Sequence, residues 1–358
     1  MNSTTPFTAP PKRCREAGFT LVELMISLAI ALFLVAGMAT LIAQQSLNRA
    51  ELDKSSRQIE NGRYALTLLQ DDIQHAGFYG QFSGVMSALA TLPDPCIDSS
   101  TTAATLDVAL AMPVQGYDAP ASVPAPLSAC LPDANHIPGT DILVIRRVEA
   151  DETPPALSTL VAGQVYVQAT PLAKVTGLGP DPTPTAPTVY TLKQKDAVTA
   201  AEVRKYVENI YFLSPCNVYA AGATSCTSAA DNGNPVPTLK RLELSVIAGI
   251  TKMVTVPLVD GIQNLQFDYG IDNTGVAGAA GDGTPSTFVT NPAIADWPNV
   301  MAVQVNLLAR NADRSAGYVD GKTYSMGVMG TVGPFSDAYK RHAYSANVRV
   351  VNLSQQRE

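Results

Sequence analysis

The feature that most constrains the fold is an apolar run near the N-terminus. No charged residue occurs from Leu24 to Ala43, and the next charge after this run is Arg49. About 20 apolar residues in a helix are enough to span the hydrocarbon core of a bilayer. Three basic residues between positions 12 and 15 precede the run. The positive-inside rule therefore predicts a cytoplasmic N-terminus in a single-pass inner-membrane protein, with everything after position 48 outside.

One acidic residue, Glu23, lies at the start of this segment, directly behind the basic stub that ends in Gly18. A carboxylate in a membrane helix is costly, so its presence indicates a partner. If the chain is cut between Gly18 and Phe19, the new amine lies about one helical turn from Glu23. We therefore expect the Glu23 carboxylate to pair with a cation, either in its own chain or in a neighbouring chain.

Two other kinds of N-terminal segment are the alternatives. Ala29 and Ala31 offer the cleavage motif of an ordinary secretory signal. Its apolar core would then end at Leu28 and contain Glu23, and apolar sequence would continue past the cut. A plain signal anchor fits the hydropathy but leaves the position of Glu23 unexplained.

Beyond the apolar run the sequence turns polar but keeps a helical pattern. A stripe at steps of three and four predicts an amphipathic helix that packs on a globular body. The members of this stripe are Ile59, Gly62, Leu66, Leu69, Ile73 and Ala76. Gly77 is a natural helix stop, so one helix is predicted over residues 19–76, with its halves at 19–43 and 44–76.

The rest of the chain, residues 77–358, shows the period of two that is typical of antiparallel strands with one buried face. In 265–271, for example, apolar residues alternate with Gln266 and Asp268. Strands are predicted at 141–147, 163–169, 205–213, 241–246, 265–271, 303–307 and 347–351. Segments 120–138, 178–188 and 273–286 are predicted to be loops because proline and small residues dominate them. The predicted class is α+β, a long helix packed on an antiparallel sheet domain with long loops.

Charge and cysteine content further limit the possible functions of the chain. The chain carries a net charge of −7, so it lacks the basic field that attracts nucleic acid, and we expect no nucleic-acid partner.

Cys14 belongs to the basic stub, which leaves four cysteines beyond the membrane segment. In an exported domain four cysteines suggest two disulfides, and three pairings are open. We expect Cys96 to pair with Cys130, and Cys216 with Cys226, because each pair brackets a proline- or alanine-rich loop; free buried thiols are the alternative.

The sequence offers no constellation for catalysis or metal binding. His75, His136 and His342 lack metal spacing, and His75 at a helix end is expected to interact with terminal carbonyls. The acidic loops at 272–282 and 311–320 collect oxygen ligands but do not fit a calcium loop, so solvated turn residues are the better interpretation. Trp297 is predicted to be a core residue. We expect no enzyme activity, no metal and no cofactor.

The N-terminal residues "GFTLVELMISLAIALFLV" resemble the class III signal of type IV prepilins and pseudopilins. Gly18 matches the last leader position, Phe19 the first mature position and Glu23 the fifth. The resemblance implies a leader peptide over residues 1–18, cleavage after Gly18 by a prepilin peptidase and methylation of the Phe19 amine. It also implies that Glu23 guides docking onto the N-terminus of a neighbour in the growing filament.

The body resembles the PilW family of minor pilins, through "AGFYG" at 76–80, "LVDGIQNLQFDYGID" at 258–272, "WPNVMAVQVNLLAR" at 297–310 and "RHAYSANVRVVNL" at 341–353. This resemblance implies a subunit that joins other minor pilins, of the PilV, PilX, FimU and PilE types, and the major pilin. These subunits prime assembly at the pilus tip and present a PilY-type adhesin. A minor pseudopilin of the GspJ type in a type II secretion system is the alternative. An anchored enzyme or a surface DNA receptor is opposed by the missing motifs and by the charge.

Overall fold

The computed structural model describes residues 18–84, 89–151, 153–180, 188–274 and 281–357. By internal contacts the chain divides into two compact units, Met1–Asp53 and Lys54–Glu358. Several predicted features lie wholly or partly outside the described residues. They are the leader before Gly18, including Cys14, most of the predicted loop at 178–188 and the centre of the loop at 273–286.

The predicted long helix is present as α1, Leu21–His75. It ends where Gly77 takes a φ of 75°, a left-handed conformation that glycine adopts without steric cost. The Gly77 N–H then donates to the carbonyl of Arg146 at 3.0 Å, which turns the chain toward the sheet domain. Two short helices complete the α-structure of the described residues, α2 (Ala103–Leu110) and α3 (Val351–Gln355).

Thirteen strands are found in the described part of the chain, and every pairing among them is antiparallel. They are β1 (Val114–Tyr117), β2 (Ile142–Val148), β3 (Val165–Ala169), β4 (Lys174–Leu178), β5 (Val203–Ser214), β6 (Thr238–Ile247), β7 (Ile250–Asp260), β8 (Ile262–Ile271), β9 (Thr287–Val289), β10 (Val300–Arg310), β11 (Tyr324–Ser325), β12 (Thr331–Val332) and β13 (Arg341–Arg349). The α+β class predicted from the sequence is confirmed.

The first sheet is built around the long central strand β5. Residues 206–211 of β5 pair with β2, residues 209–214 pair with β6, and residues 203–205 pair with β3. Strands β1, β4 and β7 then pair with β2, β3 and β6 respectively. The second sheet has the order β13-β10-β8-β9, and β11 and β12 form a separate hairpin.

The main core lies between the two sheets and the C-terminal part of α1. Leu69 and Ile73 of the helix are fully buried there, together with side chains from both sheets. Sheet residues in this core include Leu143, Ile145, Tyr211, Leu213, Leu265, Phe267, Val303 and Val305. Burial of apolar area in this core is the main stabilising term for the second unit.

The predicted helix stripe was partly wrong. Ile59 is 42% exposed and Leu66 is only half-buried, whereas Gln58 and Asp72 are buried. The buried face of α1 therefore contains two polar residues that were not part of the predicted stripe. Both side chains can be buried because they form hydrogen bonds with the sheet domain, as described below.

The prediction of one buried face for residues 265–271 was also wrong. Gln266 and Asp268 are buried as fully as the apolar residues that alternate with them. The turn at Gly327–Met329 covers this second face of β8, and the Val328 N–H donates to the Asp268 carboxylate at 3.1 Å. At the last predicted strand, β13 ends at Arg349 and α3 begins at Val351.

Candidate assembly site

The N-terminal end of α1 is held by a reciprocal cap between Thr20 and Glu23. The Glu23 N–H donates to the Thr20 hydroxyl at 3.3 Å, and the Thr20 N–H donates to Glu23 Oε2 at 3.0 Å. The Thr20 hydroxyl also donates to Oε2 at 2.9 Å. This is a capping box, with Thr20 at the N-cap and Glu23 three positions on. Thr20 was not among the residues predicted from the sequence, although the Thr-x-x-Glu spacing is a sequence signature of this cap.

The predicted cleavage residues lie immediately before this cap. Phe19 is 83% exposed, and no atom of the described residues lies within 4 Å of the position that a Cβ on Gly18 would occupy. Glu23 Oε1 makes no hydrogen bond in the described part of the chain, so only one carboxylate oxygen is used by the cap. Gly18, Phe19 and Glu23 therefore lie within six consecutive residues, the first two before α1 and Glu23 in its first turn.

The apolar part of α1 is exposed along its whole described length in the first unit. By its length and composition the helix is long and apolar enough to cross a membrane. A segment this apolar is stable in water only if lipid or other protein covers it. Membrane anchoring by this segment follows from its composition and length.

In the second unit, Asp72 is the strongest polar link between α1 and the first sheet. Its carboxylate accepts hydrogen bonds from Arg147 Nε at 2.6 Å, Asn209 Nδ2 at 2.7 Å and the Tyr211 hydroxyl at 2.8 Å. Burial, and then the negative charge of Asp72, raise the pKa of Tyr211 above its ordinary value. Three donors from β2 and β5 thus converge on one helical residue, which fixes the helix against these strands.

Two amides and one glycine fix α1 nearer its middle. Gln58 Nε2 donates to the carbonyls of Ala309 and Lys340, at 2.8 and 3.0 Å. Asn61 Nδ2 donates to the carboxylate of Asp260 at 2.6 Å. Gly62 lies directly against the ring of Tyr344, where a Cβ would come within 2.2 Å of a ring carbon. The helix therefore contacts β10 and β13 of the second sheet as well as β2, β5 and β7 of the first.

The other face of the first sheet contains a buried ion pair that the sequence analysis did not predict. Arg146 and Glu208 are both completely buried, with Nη2 of the arginine 3.2 Å from Oε1 of the glutamate. The Tyr206 hydroxyl donates to Glu208 Oε2 at 2.5 Å, and Arg146 Nη1 donates to the Met112 carbonyl at 2.9 Å. Burial raises the pKa of Glu208, and the charge of Arg146 opposes that rise. The pair is enclosed by the core and joins β2 to β5.

The structure joins the four described cysteines in nearest-neighbour pairs. Cys96 bonds to Cys130 and Cys216 bonds to Cys226, with Cα–Cα distances of 5.6 and 5.7 Å. Both distances lie in the range usual for disulfides. The first bridge closes the loops that lead into β1 and β2, and the second closes the loop that follows β5.

The remaining candidate residues are used within the fold. His75 Nδ1 lies 2.7 Å from the carbonyl of Asp71 near the end of α1, whereas His136 is buried and its Nε2 lies 3.0 Å from the Thr140 carbonyl. Asp272 accepts bonds from its own loop, including one from Gly283 N at 2.9 Å, and Asp320 pairs with buried Arg341. No group of three or more potential metal ligands occurs among the described residues.

Trp297 is almost completely buried, as predicted for a core residue. Its ring meets the ring of Tyr269 edge to face, with centroids 4.8 Å apart. Five strands lie at the edges of the two sheets in the described part of the chain, namely β1, β4, β7, β9 and β13. The longest of these are β7, which pairs only with β6 among the described strands, and β13, which pairs only with β10. Such edges can accept a further strand from another chain.

Comparison with known families identifies two regions of the chain. The model of the prokaryotic N-terminal methylation motif matches residues 13–39. The model described as type IV pilus-assembly protein W matches residues 226–352, which include strands β6 to β13. A comparison with curated proteins returns no match. The first match covers Gly18, Phe19, Thr20 and Glu23, and the second covers most of the second sheet and its surroundings.

Proposed function

Because the chain is a class III prepilin of the PilW family, a family of type IV pilus minor pilins, we propose that it primes filament assembly and forms part of the tip complex. Pilins of this family are structural proteins, and the protein acts by binding other subunits. Its partners are other minor pilins of the PilV, PilX, FimU and PilE types, the major pilin and a PilY-type adhesin. It occupies the inner membrane before assembly, with the N-terminus in the cytoplasm, and the pilus tip afterwards.

Processing takes place at the bond between Gly18 and Phe19. A prepilin peptidase cuts this bond and methylates the new amine of Phe19. The exposure of Phe19 and the open space around Gly18 support this proposal, because a peptidase must reach an extended bond. The cap at Thr20 supports it further, since the helix begins only after the bond that is cut.

The arrangement of Glu23 is the observation that carries the assembly mechanism. One carboxylate oxygen caps the chain's own helix, and the other makes no hydrogen bond among the described residues. Oε1 is therefore available to a cation. The N-terminal amine of a neighbouring processed subunit is such a cation. In an apolar filament core this pairing is strong, because water does not screen it.

The second unit presents the surfaces on which partner subunits dock. The free edges of β7 and β13 are 11 and 9 residues long, and each can pair with a strand of a neighbour. Asp72 fixes the C-terminal part of α1 to the first sheet, so these edges have a defined orientation relative to that part of the helix. Docking edges held in one orientation favour one order of subunits.

Deletion of the gene, with surface pili counted by electron microscopy and secreted hydrolases assayed in the same strain, tests the proposal. The deletion strain should lose pili and secrete normally. Complementation with Glu23→Ala should leave the protein in the membrane but restore few pili. Glu60→Ala provides the matched control, because Glu60 is also an exposed acid of α1 but lies in its polar half.

Normal pili with failed secretion would contradict the proposal and assign the chain to a type II secretion system as a GspJ-type pseudopilin. The roles of Gly18, Phe19 and Glu23 would then be unchanged. Full restoration of pili by the Glu23→Ala variant would instead remove the charge-pairing mechanism and leave the family assignment in place.

A further inference from the structure

The edge strand β7 borders a cavity of about 520 Å³ in the second unit. Lys252 and Met253 of β7 line this cavity together with residues of the segments 94–105 and 129–130. Because β7 is the only strand of the first sheet that lines it among the described residues, the cavity lies at the edge of that sheet. Its volume is in the range of roughly 300 to 1,000 Å³ that is usual for binding clefts.

The regular part of the β7 edge is formed by residues 250–256. These residues pair one to one with residues 247–241 of β6, and the register shift occurs only beyond them, next to Pro257. The backbone groups of residues 252–256 make no hydrogen bond to any other segment that the structure describes. A neighbouring chain can therefore add a strand here through main-chain hydrogen bonds.

Two exposed carboxylates, those of Asp94 and Asp98, lie among the lining residues of the cavity. Each uses Oδ1 within its own loop, where Asp94 accepts a bond from Cys96 N and Asp98 accepts one from Ser100 N, both at 2.8 Å. The bonds from Ser100 lower the pKa of Asp98, so this carboxylate is ionised at neutral pH. Neither Oδ2 accepts a hydrogen bond among the described residues, so both are available to a cation.

The basic residue Lys252 also borders the cavity, but its side chain belongs to the other face of β7. Successive residues of a strand point to opposite faces of the sheet. Met253 pairs with Leu244, which belongs to a buried core cluster, whereas Lys252 pairs with Ser245 and is exposed. The Lys252 ammonium therefore does not neutralise the two carboxylates on the cavity side.

Apolar surface in the cavity comes from Ile97, Met253 and the bridge between Cys96 and Cys130. Ile97 is almost completely buried, and Met253 is half-buried. The side chain of lysine or arginine has an aliphatic stem that packs on such a surface while its charged head remains beside a carboxylate. The lining therefore suits a long basic side chain better than an acidic or a purely apolar one.

We propose that β7 accepts an extended strand of a partner subunit, and that this strand places one arginine or lysine side chain in the cavity. The inference rests on the proposed docking of partner subunits and deepens it, because it selects the β7 edge and states the chemistry of the partner. Main-chain hydrogen bonds along residues 250–256 supply affinity for any extended strand. The cavity supplies specificity, because only a strand with a basic residue at the matching position pairs with Asp94 and Asp98.

Binding of fluorescently labelled peptides to the full chain in detergent tests this proposal. The probe is a peptide of about seven alternating threonine and valine residues with an arginine at its centre. A second peptide has citrulline in place of arginine, which keeps the shape and removes the charge, and a third keeps the arginine but has N-methyl groups on alternate amides. The arginine peptide should bind at least about fivefold more tightly than the citrulline peptide at about 0.1 M salt. It should also slow hydrogen exchange in residues 251–256, whereas the N-methylated peptide should not bind.

The double variant Asp94→Asn with Asp98→Asn should lose the preference for arginine, and asparagine keeps an oxygen that can accept the bonds of the loop. Asp71→Asn with Asp313→Asn is the matched control, because both residues are exposed outside the cavity and the change in charge is the same. Equal binding of the arginine and citrulline peptides, or an equal loss in the control variant, would overturn the basic anchor. Binding of the N-methylated peptide would overturn strand addition. Normal pili in the deletion strain would instead contradict the proposed function, whatever the peptides do, so the two failures are distinguishable.

Discussion

The sharpest prediction concerns Asp72, the residue through which α1 binds the first sheet. Replacing Asp72 with alanine removes a buried carboxylate and leaves Arg147, Asn209 and Tyr211 without their shared acceptor. Arg147 has 22% of its side chain exposed and can turn toward solvent, whereas Asn209 and Tyr211 are buried and cannot. The substitution therefore leaves at least two buried donors unsatisfied.

The magnitude follows from the number and kind of these bonds. A hydrogen bond to a charged group contributes about 1.5 to 3 kcal/mol, and loss of one partner from a buried ion pair costs about 3 to 5 kcal/mol. Because the three bonds share one acceptor, their contributions do not add fully. We expect Asp72→Ala to lower the free energy of unfolding of the second unit by about 3 to 5 kcal/mol.

The neighbouring residue supplies a matched control. Asp71 has the same side chain but is 74% exposed, and it contacts His75 one turn along the same helix. An exposed pair of this kind contributes little, so Asp71→Ala should change the free energy of unfolding by less than about 0.5 kcal/mol. Both variants differ from the parent by one carboxylate on adjacent helical positions.

Denaturant unfolding of the full chain in detergent, followed by the fluorescence of Trp297, measures both variants. Trp297 is the sole tryptophan and is buried in the second unit, so its signal reports that unit. A double-mutant cycle with Arg147→Ala then gives the coupling energy of the ion pair. Equal stability of the Asp71 and Asp72 variants would refute the argument that the buried carboxylate fixes the helix.

Three further changes test other parts of the fold. Gly116→Ala should destabilise by about 1 to 3 kcal/mol, because its Cβ would lie 1.8 Å from the hydroxyl of buried Tyr269, and denaturant unfolding checks this. Burial raises the pKa of Asp141 to about 7, so the free energy of unfolding should fall as the pH rises from about 4 to about 7, and Asp141→Asn should flatten that slope. Replacing Cys216 and Cys226 with serine should cost about 2 to 3 kcal/mol, measured by thermal unfolding.

Each of these predictions has its own control. Gly321→Ala should be nearly neutral, because no described atom lies within 4 Å of its Cβ position. For the pH dependence, the difference between the variant and the parent is the quantity of interest, and equal slopes would contradict the assignment to Asp141. Removal of the Cys96–Cys130 bridge should cost about 1 kcal/mol more than removal of the shorter one, since it closes 34 rather than 10 positions of chain. The reverse order would contradict the loop-closure argument.

The long helix and the strands could be predicted because they depend on local periodicity. The run from Leu24 to Ala43 and the alternation in residues 265–271 are visible within short windows of sequence. The cap at Thr20 could also have been predicted, since the Thr-x-x-Glu spacing is local. Thr102 gives a similar signal before α2, where its hydroxyl accepts a bond from Thr105 N at 3.3 Å.

The polar interior could not be predicted in this way. Asp72 looks like a solvent-facing helical residue until β2 and β5 bring Arg147 and Tyr211 to it, from 75 and 139 positions away. Asp268 looks exposed in an alternating strand until the Val328 turn covers it, from 60 positions away. Burial of a polar group depends on partners that are distant in the chain, and hydrophobic periodicity contains no information about them.

The N-terminus of this chain in sheared and purified pili is the measurement that tests the central claim most directly. Mass spectrometry should find a peptide that begins at Phe19 with one added methyl group, at a low level relative to the major pilin. A chain that retains the residues before Phe19, or that is found in the membrane fraction and is missing from the pili, would contradict the account of a processed minor pilin.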